Sequence, residues 1–128
     1  DRLRRLDLNI RNAGGRLVTF FGGAETTGCM AIVPATMTPA KLGAVGVALE
    51  GGTLTIDRAR GALCCSGPNV ALGYAEARAD LSRGDDLGGR FTLDGLVRVD
   101  ADGVYWWSAS TLAMPVDRQH AAPISANP

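Results

Sequence analysis

Short apolar runs separated by glycine-rich turns recur along most of the chain. Examples lie at residues 17–21, 29–33 and 53–56. Runs of this length, bounded by glycine or proline, predict β-strands rather than helices. Between residues 6 and 10, leucine and isoleucine alternate with polar side chains, which predicts a half-buried strand near the start. Because only a few residues connect it to the run at 17–21, we expect these two strands to form a hairpin.

The remaining pattern adds one helix and one tight turn. Residues 75–83 are rich in alanine, glutamate and arginine, which favour helices, and a glycine follows as a stop signal. Aspartate and glycine at 100–103 predict a hairpin turn between two further strands. The expected fold is mainly β: a small distorted β-barrel or sandwich with one inserted short helix. We expect a single β-rich domain at residues 1–110 and a loose C-terminal tail at 111–128.

Composition narrows the classes of function. The chain has 128 residues, of which 13 are basic and 13 acidic, so the formal net charge is zero and the sequence lacks an electrostatic footprint for nucleic acid. No apolar run reaches the roughly 20 residues that a membrane-spanning helix needs. The charged start is unlike a secretory signal. These features predict a cytoplasmic protein that binds no nucleic acid and does not span a membrane.

Few residues are available for acid–base, nucleophilic or metal chemistry. His120 is the only histidine, which excludes a catalytic triad and a multi-histidine metal site. Lys41 is the only lysine, and we expect it on a solvated loop. Cys29, Cys64 and Cys65 lack the two-residue spacing of metal and redox motifs. We interpret them as small buried apolar residues in a reducing compartment, with a redox or metal role as the alternative.

An ordered set of motifs resembles one known family. Residues 66–74 read Ser-Gly-Pro-Asn-Val-Ala-Leu-Gly-Tyr. This segment is similar to a signature of the adenylate-forming superfamily, which contains acyl-CoA synthetases, fatty-acyl-AMP ligases and peptide-synthetase adenylation domains. Residues 41–46, 51–56 and 99–103 resemble neighbouring segments of that family in the same order. The resemblance covers about residues 20–107 and implies the distorted β-barrel subdomain of those enzymes.

The resemblance also implies one side of a nucleotide site. Residues 21–25 are similar to the family's Tyr-Gly-Gln-Thr-Glu loop, in which the threonine and glutamate hold ATP phosphate and Mg²⁺. By resemblance, Glu25 is the candidate Mg²⁺ ligand, since a hard cation that bridges phosphates takes carboxylate oxygens. Its alternative is a solvated loop carboxylate, because Ala24 replaces the family's hydroxyl. Gly22 and Gly23 are candidates for cradling phosphate, with a simple turn as the alternative.

Two further positions complete the implied nucleotide site. Gly14 and Gly15 resemble the glycine pair that lies against the adenine and the acyl carbonyl. Asp94 stands one position before the family's ribose-binding aspartate, whose place is taken by Gly95. In a strand, a shift by one residue turns a side chain to the other face. Asp94 is therefore a candidate ribose ligand by resemblance, with a turn residue as the alternative.

Much of the family's catalytic machinery has no counterpart in this sequence. The phosphate loop, the hinge to a mobile C-terminal domain and the catalytic lysine of that domain are not found. Phosphoryl transfer depends on positioning and on neutralisation of charge. ATP, AMP and Mg²⁺ are therefore implied as ligands by resemblance only, and none is expected to bind the isolated chain.

Two functional hypotheses follow. The first is a truncated, non-catalytic relative or fragment of an AMP-forming acyl-acid ligase that acts through its barrel surface. The second is one half of a split acyl-adenylating ligase, completed by another chain. A third possibility is that the sequence is a fragment of a longer protein, which carries the function, or an engineered form. Phe91, Trp106 and Trp107 are the predicted interface residues, through which the chain meets a protein partner or a second copy of itself.

Overall fold

The computed structural model describes residues 2–108 and begins with a helix. This helix, α1, spans Arg2–Asn12. The strands that follow are β1 (Thr19–Phe21), β2 (Ala31–Val33), β3 (Val47–Ala48), β4 (Thr53–Asp57), β5 (Ala62–Ser66), β6 (Arg90–Leu93), β7 (Leu96–Val99) and β8 (Tyr105–Ser108). Short 3₁₀ helices lie at Ala24–Thr26 and Arg78–Ser82. Across residues 2–108, no helix is long and apolar enough to cross a membrane. The predicted tail at 111–128 lies outside the described residues.

The strands form three antiparallel sheets. The first contains β1, β2 and β3 in that order, the second contains β4, β5 and β6, and β7 pairs with β8 as a hairpin. Gly46 and Tyr105 exchange backbone hydrogen bonds of 3.2 and 2.9 Å, which link the first sheet to the hairpin. The mainly-β prediction is therefore confirmed. Within residues 2–108 the sheets do not close into a barrel, so neither the barrel nor the sandwich is confirmed.

One hydrophobic cluster draws side chains from all three sheets. Leu54 and Cys65, which face each other across β4 and β5, are 7% and 2% exposed. Ala31 joins them from the first sheet, and Trp107 packs against the cluster from the hairpin. Alternate side chains of a strand share one face, and Leu63 and Cys65 of β5 accordingly both reach this core. Each large apolar side chain buried there contributes about 1.5–3 kcal/mol, and the cluster thereby holds the sheets together.

The first segment is a helix, so the predicted strand at residues 6–10 and its hairpin are wrong. Leu3, Leu6 and Ile10 recur at helical spacing within α1. Asp7 and Arg11 form an ion pair of 2.8 Å between positions four residues apart, a spacing that a helix places on one face. Leu6 and Ile10 are four residues apart and share a face of the helix, whereas Leu8 lies off that face and is 58% exposed.

Arg11 attaches α1 to the rest of the chain. Its guanidinium donates to the carbonyl oxygen and to the hydroxyl oxygen of Thr38. The Thr38 hydroxyl lies 3.2 Å from the carbonyl oxygen of Leu17, near the start of β1. Leu3 and Leu6 remain 42% and 47% exposed. Polar contacts of Arg11, more than apolar burial of those leucines, therefore dock the helix.

Residues 75–83 form less helix than the sequence predicts. Only Arg78–Ser82 is helical, as a short 3₁₀ segment. The Asp80 carboxylate accepts hydrogen bonds of 2.9 Å from the backbone N–H groups of Glu76 and Ala77, and these bonds lower the pKa of Asp80. Leu81 is 75% exposed. Without an apolar face to bury, a longer helix gains little from packing.

The predicted hairpin turn at residues 100–103 is confirmed, because it joins β7 directly to β8. The Asp100 Oδ1 atom accepts hydrogen bonds from the backbone N–H groups of Asp102 and Val104, at 3.0 and 3.1 Å. The Gly103 N–H donates to the Asp100 carbonyl oxygen at 3.0 Å. One aspartate thus organises the whole turn.

Lys41 is tied to this hairpin, so the expectation of a solvated lysine is wrong. Its ammonium lies 2.7 Å from Asp100 Oδ2 and 2.6 Å from Asp102 Oδ2, and its side chain is only 18% exposed. Hydrogen bonds to the two carboxylates raise the pKa of Lys41. The hydrogen bond from Lys41, followed by that from Trp106, holds the pKa of Asp100 well below its usual range. The ion pairs link the loop before β3 to the β7–β8 turn.

The cysteines agree with their interpretation as buried apolar residues, in part. Cys64 and Cys65 are buried on β5, Cys29 is half-buried, and all three are free thiols. Burial raises the pKa of Cys65 to about 12, so its thiol stays protonated at neutral pH. The Cys64 Sγ atom accepts a hydrogen bond of 2.8 Å from Arg90 Nε.

Candidate functional site

The turn that carries Glu25 meets the loop at residues 66–74, although the two are distant in sequence. The Tyr74 hydroxyl donates to Glu25 Oε1 at 2.8 Å across 49 positions. The Ala71 N–H donates to the carbonyl oxygen of Glu25, also at 2.8 Å. Residues 21–29 and 66–74 therefore form one surface, which we call the Glu25 site. These segments include the two motifs that resemble the family's nucleotide loop and its signature.

Tyr74 serves the Glu25 site as a hydrogen-bond donor. Its pKa is raised to about 12, first by burial and then by the hydrogen bond to the Glu25 carboxylate. The phenol therefore keeps its proton at neutral pH and can only donate to that carboxylate. Sequence reasoning included Tyr74 in a motif but missed this role, because no local pattern signals a contact across 49 positions.

Gly22 and Gly23 shape the exposed turn before Glu25. A Cβ at Gly22 would lie 2.5 Å from the carbonyl oxygen of Gly28, so only glycine permits this close approach of two backbone segments. The Gly23 N–H donates to Thr26 Oγ1 at 3.0 Å. Since that N–H is already bonded, it is not free to bind phosphate. The geometry supports the turn alternative for this pair, and phosphate binding stays a prediction.

Gly14 and Gly15 lie at the C-terminal end of α1. The Gly15 N–H donates to the Ile10 carbonyl oxygen at 2.8 Å, and the Gly14 N–H donates to that of Arg11 at 2.9 Å. Gly14 has a left-handed φ of +78°. This is the hydrogen-bond pattern of a Schellman cap, in which glycine ends the helix. The pair has a structural role here, and its contact with a nucleotide stays a prediction.

Asp94 lies beside Trp107 and Arg60. Its Oδ1 atom is 3.8 Å from a guanidinium nitrogen of Arg60, and its carbonyl oxygen accepts a hydrogen bond of 3.2 Å from Trp107 Nε1. At the next position, a Cβ on Gly95 would lie 2.6 Å from the carbonyl oxygen of Ser108 and closer still to Trp107 Nε1. The indole therefore closes the position where the resemblance places a ribose-binding carboxylate.

The predicted interface residues are all half-buried within the single chain. Trp107 faces the core, where its ring centroid lies 5.8 Å from that of Phe21. Trp106 faces the opposite side of the hairpin, where Arg98 stacks over its ring at 4.4 Å. Adjacent residues of a strand point to opposite faces, and the two tryptophans do so here. For Phe91 as for the tryptophans, a role in an interface stays a prediction.

The Glu25 carboxylate suits a metal ion only where a nucleotide supplies further oxygen ligands. Within residues 2–108, no three His, Cys, Asp or Glu side chains are grouped so that they could hold a metal ion. Glu25 Oε1 already accepts the hydrogen bond from the Tyr74 hydroxyl. Mg²⁺ commonly binds one or two protein carboxylates together with substrate phosphates. The donor set around Glu25 therefore suits Mg²⁺ carried by ATP as a substrate, and does not suit a resident ion.

A cavity of about 10 Å³ lies behind the Glu25 turn, lined in part by Thr26, Cys65 and Asn69. Its volume is close to what one water molecule requires. A nucleotide has no room there. The outer side of the turn, where Gly22, Gly23 and Ala24 are exposed, is the side open to a ligand.

No family profile and no curated protein matches this sequence. The fold, however, matches solved structures of acyl-CoA ligases. O-succinylbenzoate CoA synthetase from Bacillus subtilis, in complex with ATP and magnesium, has a TM-score of 0.60 and 21% identity over 81% of this chain. A protein assigned as a long-chain-fatty-acid CoA ligase from Rhodopseudomonas palustris has a TM-score of 0.61 and 21% identity over 84% of this chain. The N-terminal domain of FACL13 from Mycobacterium tuberculosis has a TM-score of 0.64 and 15% identity over 81% of this chain.

The matches confirm the resemblance to adenylate-forming acyl-CoA synthetases at the level of the fold. They cover 23%, 28% and 28% of those three proteins, so this chain spans about a quarter of the length of the structures it matches. Most of each of those proteins lies outside the match, and their activities are properties of the longer chains.

Proposed function

We propose that this chain is a segment of an AMP-forming acyl-acid ligase fold that presents the Glu25 carboxylate to the phosphates of ATP·Mg²⁺ and is non-catalytic on its own. One observation carries the proposal. The Glu25 turn is bonded to the signature-like loop through Tyr74 and Ala71, at 2.8 Å each. The first bond holds the carboxylate itself and the second holds the backbone of Glu25, so both the side chain and the turn are positioned by the loop.

Further support comes from solved structures with the same fold and from the position of the Glu25 carboxylate at the turn. The Bacillus subtilis synthetase has been solved with ATP and magnesium and also with AMP. In this chain, Glu25 is the carboxylate at the exposed turn, and its Oε2 atom is 3.0 Å from where a Cβ of Gly23 would lie. A larger residue at 23 would crowd that oxygen. We place the chain in the cytoplasm, where ATP is available and free thiols persist.

Calorimetry tests whether the chain on its own binds the nucleotide. We expect no heat of binding at micromolar ATP·Mg²⁺, because a single carboxylate and a turn do not enclose a nucleotide. The Glu25→Gln variant is the matched control, since it keeps the shape and the Tyr74 contact but removes the charge. Micromolar affinity, which corresponds to about −8 kcal/mol, would contradict this expectation, and its loss in Glu25→Gln would show that the Glu25 carboxylate contacts the bound ATP·Mg²⁺.

The alternative is that the chain is one half of a split acyl-adenylating ligase. The exposed outer side of the Glu25 site favours it, because this side is open to a second chain bringing phosphate-binding groups. Native mass measurement on complexes from the source cell, followed by ATP–pyrophosphate exchange, tests this. Exchange that is lost in Glu25→Gln complexes supports the split ligase. A recovered complex without exchange leaves the non-catalytic proposal in place.

We further propose that the chain associates with a second copy through the outer face of the β7–β8 hairpin. Leu96 and Trp106 share this face, because Leu96 pairs with Ser108 and Arg98 pairs with Trp106. Leu96 is 73% exposed. The exposed Leu96 beside the half-buried Trp106 is the observation that supports this proposal.

A further inference from the structure

We propose that Asn69 is the positioning residue of the Glu25 site: it clamps the turn that follows Glu25 and so fixes where the carboxylate points. The role of that carboxylate, contact with ATP·Mg²⁺, rests on the proposed function. The clamp itself rests on hydrogen bonds and backbone geometry within the described residues. Asn69 belongs to the signature-like loop, and neither its spacing nor its residue type marks it for this role.

The side-chain amide of Asn69 bridges the two ends of the turn. Its Nδ2 atom donates to the carbonyl oxygen of Thr26 at 3.2 Å and to that of Cys29 at 2.7 Å. An amide nitrogen carries two hydrogens, so both are used. Because both neighbours are carbonyl oxygens, the nitrogen and not the oxygen of the amide must face them. The Thr27 hydroxyl completes the clamp by donating to the backbone carbonyl of Asn69 at 3.1 Å.

The clamped turn has a conformation that needs outside support. Thr27 has a left-handed φ of +50°, and Gly28 follows with a φ of +99°. A positive φ is unfavourable for a β-branched residue and persists where its surroundings enforce it. The two carbonyls held by Asn69 belong to the residues on either side of this pair. Asn69 therefore spans the strained part of the turn.

Glu25 depends on this clamp through the backbone. It immediately precedes Thr26, whose carbonyl Asn69 holds. Its own carbonyl accepts the Ala71 N–H, two residues beyond Asn69. If the turn relaxes, the backbone of Glu25 shifts and its carboxylate leaves the Tyr74 hydroxyl. Asn69 thus acts through Glu25 and needs no contact with a ligand.

Two substitutions test the clamp. Asn69→Ala removes both donors, and Asn69→Asp keeps the size of the side chain but turns a carboxylate oxygen toward two carbonyl oxygens. Val104→Ala is the matched control, because Val104 is fully buried next to β8 and its truncation lowers stability without touching the Glu25 site. All three are compared without any nucleotide, so that this result is independent of the proposed function and of its Glu25→Gln test.

Hydrogen exchange of the turn is the first measurement. The N–H groups of Thr26, Thr27 and Gly28 donate to carbonyl oxygens of Gly23 and Ala24. In both Asn69 variants we expect these amides to exchange at least about tenfold faster than in the wild type, beyond any change in global stability. In Val104→Ala we expect them to follow global stability only.

The nuclear Overhauser effect between the Tyr74 ring and the Glu25 side chain is the second measurement, since their polar atoms lie 2.8 Å apart. We expect it to be lost in the Asn69 variants and kept in Val104→Ala. If the effect persists in folded Asn69→Ala and turn exchange matches the control, the proposal is overturned. Should neither Asn69 variant fold, Thr27→Val decides, because it removes only the hydroxyl bonded to Asn69. Faster exchange confined to the turn then supports the clamp, and unchanged exchange overturns it.

Discussion

At the scale of single residues, Trp107 determines what position 95 can carry. Its indole lies over Gly95, and a Cβ there would be 2.6 Å from the Ser108 carbonyl oxygen. Neither a backbone oxygen nor a tryptophan packed on the core can move aside cheaply. The ribose-binding carboxylate implied by resemblance therefore cannot be restored by a single substitution.

Gly95→Asp is expected to lower the free energy of unfolding by about 2 kcal/mol or more, and to bring no affinity for AMP. Urea unfolding and calorimetry measure the two effects. Gly84→Ala serves as the control, because a Cβ at Gly84 meets nothing within 4 Å, and we expect it to stay within about 0.5 kcal/mol of the wild type. A Gly95→Asp protein as stable as this control would show that the indole is displaced easily.

The ion pair of Lys41 and Asp100 is expected to make stability depend on pH. The pKa of Asp100 is held below its ordinary 3.8, so its contribution is present above that pH and is lost as pH falls below it. The pKa of Lys41 is raised above its ordinary 10.5, so its contribution is present below that pH and is lost as pH rises through the raised value. Urea unfolding of wild type and Asp100→Asn at about pH 7 and about pH 3 measures the acid side. The gap between them should narrow in acid, and an unchanged gap would contradict the assignment.

At the scale of elements, the strands were predictable and the helix was not. Threonine and apolar residues alternate along β4, whose Leu54 faces the core, and β5 is a short run of mostly buried residues between two glycines. The apolar positions 6, 8 and 10 follow a period of two, and the helix is supported by contacts that this pattern does not show, the Asp7–Arg11 ion pair and the hydrogen bonds from Arg11 to Thr38. The sequence also identified Glu25 and the loop at 66–74 as candidates. Their contact depends on how two distant loops approach, which no local pattern encodes.

Gly14 offers a test of the helix end. Gly14→Ala is expected to cost about 1–2 kcal/mol, because a Cβ is unfavourable at a left-handed φ, here +78°. Gly14→Asn is the matched control and should cost less, since asparagine tolerates this conformation. Thermal unfolding followed by circular dichroism would measure both. Equal stability of Gly14→Ala and wild type would mean that the helix does not end in this cap.

At the scale of the whole molecule, Leu96 is exposed on the face of the β7–β8 hairpin opposite to the one on which Trp107 packs. Leu96→Ser is expected to shift the chain toward monomer in sedimentation without loss of stability. Leu81→Ser is the control, because Leu81 is 75% exposed against 73% for Leu96 and lies outside the hairpin. A wild type that stays monomeric across the micromolar range would contradict the proposed self-association.

Trp107→Ala is expected to lower the free energy of unfolding by about 2 kcal/mol or more, since its ring packs on the core.

The bonded state of Lys41 has a chemical consequence. Acylating reagents react with a neutral, accessible amine, and the only lysine side chain of this sequence is protonated and enclosed by two carboxylates. Covalent labelling of that side chain is therefore expected to speed up when the loop and the hairpin turn separate. The labelling rate, measured by mass spectrometry at this single lysine position, would report how often the local opening occurs.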